Sequence, residues 1–171
     1  MRPPLPHEYP KSRYFAEYLN FMPTDKLLDV LKKNTEELLA LYESLTSDQW
    51  DYAYQVGKWT RKELLGHMID TERIFSYRAL AISRGEKQSL LGFDENEYLS
   101  EAQFDGQQPE QLLQQYAATR QASICLFQSF TQEQWDKMGL SNNHPVSTRA
   151  LAWMIAGHER HHLNILKERY Q

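Results

Sequence analysis

Apolar residues recur along most of the chain at intervals of three and four, the period of an α-helix buried along one face, and they divide it into four long segments. Leu27, Leu31, Leu38, Leu41 and Leu45 mark a first helix over about residues 25–45, with Thr24 and Asp25 as its start. A second opens on the capping-box pair Thr60 and Glu63, runs through Leu64, Leu65, Met68, Phe75, Ala79 and Ile82, and stops at Gly85. Pro109 suits the first turn of a third, which Leu113, Tyr116, Ile124, Phe127 and Phe130 carry to about residue 130. The last starts at Ser147 or Thr148 and runs nearly to the C-terminus, with the stripe Leu151, Ile155, His158, His162 and Ile165.

The segments between the helices predict how they are joined. Residues 1–23 open Pro-rich and then carry Tyr14, Phe15, Tyr18, Leu19 and Phe21, which reads as an extended arm and a short aromatic helix packed on the body. From about 85 to 108 the pattern lapses into a polar connection with Phe93, Tyr98 and Phe104, long enough to run the length of a bundle or lie across its mouth. LTSDQWD at 45–51 resembles FTQEQWD at 130–136; each follows one long helix and precedes another that opens with Thr-Arg. The chain thus reads as two helix hairpins of similar plan, each with histidine on its second helix. The expected fold is a single all-α domain over residues 1–171: a four-helix bundle with an N-terminal arm and a long connection between helices two and three.

Composition narrows the function. With 7 Gly and 7 Pro in 171 residues, turn-rich β architecture is disfavoured. A net charge of -4 without any dense Lys/Arg segment argues against a nucleic-acid partner. No apolar run approaches the roughly 20 residues that span a bilayer, and MRPPLPHEYP has no signal-peptide core, so the expectation is a cytoplasmic protein without a membrane partner. Cys125 is the sole cysteine; set between Ile124 and Leu126, it reads as a small buried apolar residue, not a nucleophile.

The histidines carry the chemistry. His158 and His162, four apart, lie one above the other on a helix and interrupt an inward-facing stripe where leucine is expected. His67 on the second helix can complete a three-nitrogen metal site. The alternative is a set of histidines satisfied by buried polar neighbours or lying at the surface. His161 lies about 60° from His158 by helical geometry and so falls at the margin. Asp70, one turn beyond His67, can orient an imidazole, take a proton from bound water, or make a surface ion pair. Glu159 and Arg160 read as solvated-face residues. Arg78 returns to the angle of His67 about three turns on, where an ion pair with Asp or Glu across the bundle is expected ahead of a substrate carboxylate. Trp50, Trp59, Trp135 and Trp153 read as core or staple residues.

GKWTRKELLGHMIDTERIFSYR (57–78) and AGHERHHLNIL (156–166), together with the aromatic arm and the QW segments, resemble the DinB/YfiT-like family. The resemblance implies a four-helix bundle in which His67, His158 and His162 hold a divalent metal ion, nickel or zinc, and a homodimer acting on a small-molecule substrate. It also favours a site role for Asp70. Family members are described as metal-dependent hydrolases and as S-transferases or isomerases that use a low-molecular-weight thiol. Three neutral ligands leave the ion its full charge, which suits either acidified water or a bound thiolate. Transfer of a thiol to a small electrophile is the favoured reading, because the chain has no convincing nucleophile of its own; hydrolysis is its rival. A non-catalytic metal-binding or stress-associated bundle is the further alternative.

Overall fold

A computed structural model describes residues 2–22 and 26–171. Four long helices form the body: α2 (Leu27–Glu43), α4 (Arg61–Ser83), α6 (Pro109–Gln128) and α8 (Thr148–Arg169). The short helices α1 (Arg13–Asn20), α3 (Ser47–Trp50), α5 (Glu95–Ala102) and α7 (Gln132–Asp136) decorate it, with a 3-10 turn at Phe104–Gly106. The predicted caps are present: Thr60 and Glu63 form a capping box on α4, Pro109 opens α6, and Ser147 Oγ accepts from Ala150 N on α8. The helix start read at Thr24 and Asp25 lies outside the described residues. None of the described helices is long and apolar enough to cross a membrane.

In cross-section the helices follow one another in the ring α2, α6, α4, α8, each packing on its two neighbours. Consecutive helices α2 and α4 therefore stand diagonally, as do α6 and α8, and the two halves of the chain are not the packed hairpins that their repeat suggested. The diagonal crossings are made by the repeated QW segments. Each folds into one helical turn closed by the same capping box, Thr46 with Gln49 in α3 and Thr131 with Gln134 in α7, and each buries its tryptophan, Trp50 or Trp135. The two second helices, α4 and α8, become neighbours, which is what brings their histidines together.

Two apolar cores occupy the two ends. One gathers Leu27, Leu31, Ile82, Phe127, Leu151 and Trp153; the other gathers Leu38, Tyr42, Leu65, Leu112, Leu163 and Leu166. Reading each helix from one core to the other shows that α4 and α6 run parallel, both opposed to α2 and α8. Parallel neighbours need a connection that returns over the full length of the bundle, and residues 84–108 supply it. This connection is more ordered than its polarity suggests, since it contains β1 (Ser89–Leu90), α5 and the 3-10 turn.

A small sheet was not foreseen. Its order is β1–β2–β3, with β2 (Met138–Ser141) parallel to β1 and antiparallel to β3 (His144–Ser147). Asn142 and Asn143 make the two-residue turn with φ of 50° and 61°, the left-handed geometry of a tight hairpin, and Asn tolerates that geometry better than most side chains. The arm is tied down beside it: Ser147 N donates to Glu8 O, and the Glu8 carboxylate meets Arg149 at 2.7 Å.

Candidate metal centre

Between the two apolar cores lies a belt of buried polar side chains, and the histidines belong to it. His67 projects from α4, His158 and His162 from α8. Both His67 and His158 follow a glycine that a neighbouring segment requires. A Cβ on Gly66 would stand 2.4 Å from the ring of Phe104, and one on Gly157 would stand 2.3 Å from the carbonyl oxygen of Tyr18. These bare points let the 3-10 turn and α1 press against the helices beside the site.

His158 Nε2 lies 2.9 Å from His67 Nε2 and 2.9 Å from His162 Nε2. The three donor atoms fall within 4.8 Å of one another. An imidazole Nε2 carries either one hydrogen or one lone pair, so the central nitrogen satisfies at most one of these neighbours through a proton. A cation at their convergence would take a lone pair from all three, the rings drawing in slightly to reach bond lengths of about 2.1 Å. The residues present therefore fit a metal ion.

The electrostatics agree. Burial is the main cause that lowers all three histidine pKa values, His67 to about 4 and the other two well below their ordinary value, so the rings are neutral and ready to coordinate. Behind His158 stands a buried cluster. Arg120 donates through Nε to Glu72 Oε1 at 2.9 Å and through Nη1 to Leu31 O and Thr35 Oγ1; its Nη2 lies 2.9 Å from Glu159 Oε2, close but not aligned as a hydrogen bond. The Tyr116 hydroxyl donates to Glu159 Oε1. Two carboxyl groups thus share one arginine beside the histidines, and burial raises the Glu159 pKa against the charge of Arg120. Glu159 is 2% exposed, which corrects its reading as a solvated residue: α8 is flanked by α1, α2 and α4, and little of its circumference reaches water. Arg160 is half-buried and pairs with Glu37 at 2.7 Å.

Other expectations divide. His161 stays outside the cluster, its ring between Tyr18 at 5.1 Å and Phe21 at 5.9 Å. Asp70 is half-buried, one turn beyond His67, and pairs with Arg73 at 3.2 Å; burial raises its pKa against the opposing Arg73 charge. Arg78 has no carboxylate partner among the described residues, contrary to the expected ion pair, because Phe75 of its own helix and, from the loop after β1, Phe93 and the Leu91 carbonyl are what face it. Cys125 is exposed, since one helical step of about 100° turns it away from the inward face of Ile124. Trp50, Trp135 and Trp153 are core residues; Trp59, half-buried just before the Thr60 cap, packs against the second core as a staple residue would and also reaches the site, its ring 4.7 Å from that of His67 and 6.5 Å from that of His162. Its place immediately before the α4 cap was the available signal, because that position looks along the helix toward His67 two turns later. Tyr18 packs edge-on to His158 at 5.5 Å from the opposite side. A cavity of about 280 Å³, lined by Trp59, Lys58, Asn96, Tyr54, Ile165 and His162 among others, gives access from solvent.

YfiT from Bacillus subtilis, described as a probable metal-dependent hydrolase with an unusual four-helix bundle topology, superposes with a TM-score of 0.76 at 17% identity, covering 96% of this chain and 95% of that one. The mycothiol-dependent maleylpyruvate isomerase superposes with a TM-score of 0.68 at 14% identity over 85% of this chain; the match spans only 61% of the isomerase. At these identities the likeness is one of fold. No curated protein sequence matches the chain at a significant level. A sequence profile of the DinB superfamily matches residues 31–166, from Leu31 of α2 to Leu166 of α8 and through all three clustered histidines, and the chain belongs to that superfamily.

Proposed function

We propose that this protein is a metal-dependent enzyme in which His67, His158 and His162 hold one divalent ion, nickel or zinc, and in which a low-molecular-weight thiol is transferred to a small electrophilic substrate. The observation that carries the reading is the contact of His158 Nε2 with two other Nε2 atoms at 2.9 Å, which protons alone leave unsatisfied and a shared cation resolves. When bound, the ion supplies Lewis acidity, acidifying a thiol or water ligand and polarising a carbonyl.

The chain's own residues do the rest. Trp59 and Tyr18 cover the histidines from two sides and limit water, while the cavity beside His162 admits a small reactant. Asp70, one turn beyond His67 on α4 and paired with Arg73, would be the group to hold a proton on that side, and burial raises its pKa. A nucleophile has to come from outside, because Cys125 is exposed on α6 and is absent from the site. Hydrolysis is the second reading, favoured by the near-complete superposition on a protein described as a probable metal-dependent hydrolase.

Metal-loaded protein incubated with an electrophile such as 1-chloro-2,4-dinitrobenzene, with and without a low-molecular-weight thiol, separates the two. Turnover that requires thiol supports transfer, and thiol-independent product replaces it with hydrolysis. Elemental analysis of untagged protein tests the metal itself: His162→Ala should lose most of the bound ion, and a full complement in that variant overturns the ligand assignment.

A further inference from the structure

A second cavity, of about 700 Å³, opens between the N-terminal arm, the middle of α4 and the tip of the β2–β3 hairpin. It shares no residue with the histidine cluster. Phe75 and Arg78, which line it, follow His67 by eight and eleven residues, about 12 and 16 Å along the helix.

Arg78 distinguishes this cavity. It is 5% exposed, and its only hydrogen bond among the described residues runs from Nη2 to Leu91 O at 2.5 Å. Other buried arginines are better served: Arg120 faces Glu72 and Glu159, Arg149 faces Glu8 and Asp136, and Arg61 reaches two backbone carbonyls. A buried guanidinium without an anion is costly. None of the described residues that line the cavity is acidic, whereas Lys11, His7 and His144 stand exposed around it. Arg78 and Lys11 thus bring positive charge to a space whose described lining holds no negative charge.

The walls specify what kind of anion fits. The guanidinium lies 5.4 Å from the ring centre of Phe75 and 5.7 Å from that of Phe93, and Phe15, Tyr9 and Val146 extend the apolar lining. A guanidinium beside aromatic rings can still bind a planar carboxylate along an edge with two parallel hydrogen bonds. A hydrated inorganic ion would leave the aromatic wall unused.

We propose that this cavity is a binding site for a small organic acid, with the carboxylate on Arg78, the apolar body against Phe15, Phe75 and Phe93, Lys11 drawing it in, and His7 and His144 at the rim as polar contacts. The site is separate from the metal centre and does not depend on the chemistry performed there.

Benzoate is the probe, followed by calorimetry and by the Arg78 Nε–Hε resonance in ¹H–¹⁵N spectra of the full chain, with inorganic phosphate as a parallel arm. Saturable benzoate binding that shifts this resonance, weakens by about tenfold or more in Arg78→Gln and persists in His162→Ala is the expected result. The double variant Lys11→Glu/His144→Glu changes exposed residues only and should also weaken binding; it decides the matter if Arg78→Gln does not fold. Absence of saturable binding at millimolar benzoate overturns the proposal, as does unchanged affinity in the Arg78 variant or in the double variant. Loss of binding in His162→Ala would move the anion to the metal centre, and phosphate binding as tightly as benzoate would refute the organic class; either outcome overturns it.

Discussion

Replacing Arg120 by methionine should be the most damaging single change in the belt between the two cores. Arg120 is 2% exposed and holds both Glu72 oxygens, Leu31 O and Thr35 Oγ1, with Glu159 Oε2 at 2.9 Å. Methionine fills much of the volume but leaves two buried carboxyl groups without a cation. Removing one partner of a buried pair costs about 3–5 kcal/mol. With an unfolding entropy of roughly 0.36 kcal/mol/K for 171 residues, that is a fall in Tm of about 8–14 °C. The loss should also acquire a pH dependence. Burial already raises the Glu159 pKa against the opposing charge of Arg120, and without that charge it rises further. A carboxyl whose folded pKa exceeds its unfolded value stabilises the fold when protonated and loses that contribution as pH rises, so the variant should suffer more at pH 8 than at pH 5. Urea denaturation at both values measures this. The triple variant Arg120→Met/Glu72→Gln/Glu159→Gln should recover much of the deficit, since replacing a whole buried charge cluster is often near neutral. A loss below about 1 kcal/mol, the scale of an exposed ion pair, or an equal loss at both pH values refutes the reasoning.

Gly157→Ala places a Cβ 2.3 Å from Tyr18 O and should cost about 1–3 kcal/mol in chemical denaturation despite a helix-propensity gain of about 1 kcal/mol; a variant as stable as the parent would show that α1 does not press on α8 there. Glu8 has a pKa held below its ordinary value of 4.5: burial pushes it up, but hydrogen bonds from Arg2 and Leu5 N and the charge of Arg149 outweigh that. Its contribution is full above that value and is lost as pH falls through the folded pKa, so Glu8→Gln should flatten acid unfolding below about pH 4.5 in a circular-dichroism titration, and an unchanged acid limb would count against the arm's anchor. Stripping metal with a chelator should lower Tm, because an ion that binds only the folded chain stabilises it. In the stripped protein His67, lowered by burial to about 4, should cost stability as pH falls from 6.5 toward 4, and a Tm unmoved by chelation would argue against a bound ion.

The four helices and the three clustered histidines were legible because each rests on a local rule: periodicity for the stripes, Thr60 with Glu63 for a helix start, a four-residue interval for two imidazoles on one face. What escaped depends on which helix stands next to which. Glu159 looked solvated because one stripe was assigned to α8, whereas α8 packs on α1, α2 and α4 and buries nearly its whole circumference. The repeat of the QW segments was visible, but its consequence was not: two similar halves can pack as adjacent hairpins or interlock diagonally with the same helical patterns. The interlocked arrangement sets α4 beside α8 and thereby makes a site from histidines 91 residues apart. Arg78 shows the same limit from the other side. Its helical angle predicted a partner across the bundle, but the loop after β1 meets it with Phe93 and the Leu91 carbonyl, and the cavity that it lines, with the arm on another side, has no carboxylate in its described lining. Where long-range packing surrounds a charge without neutralising it, as at Arg78, the leftover charge itself indicates what the protein binds.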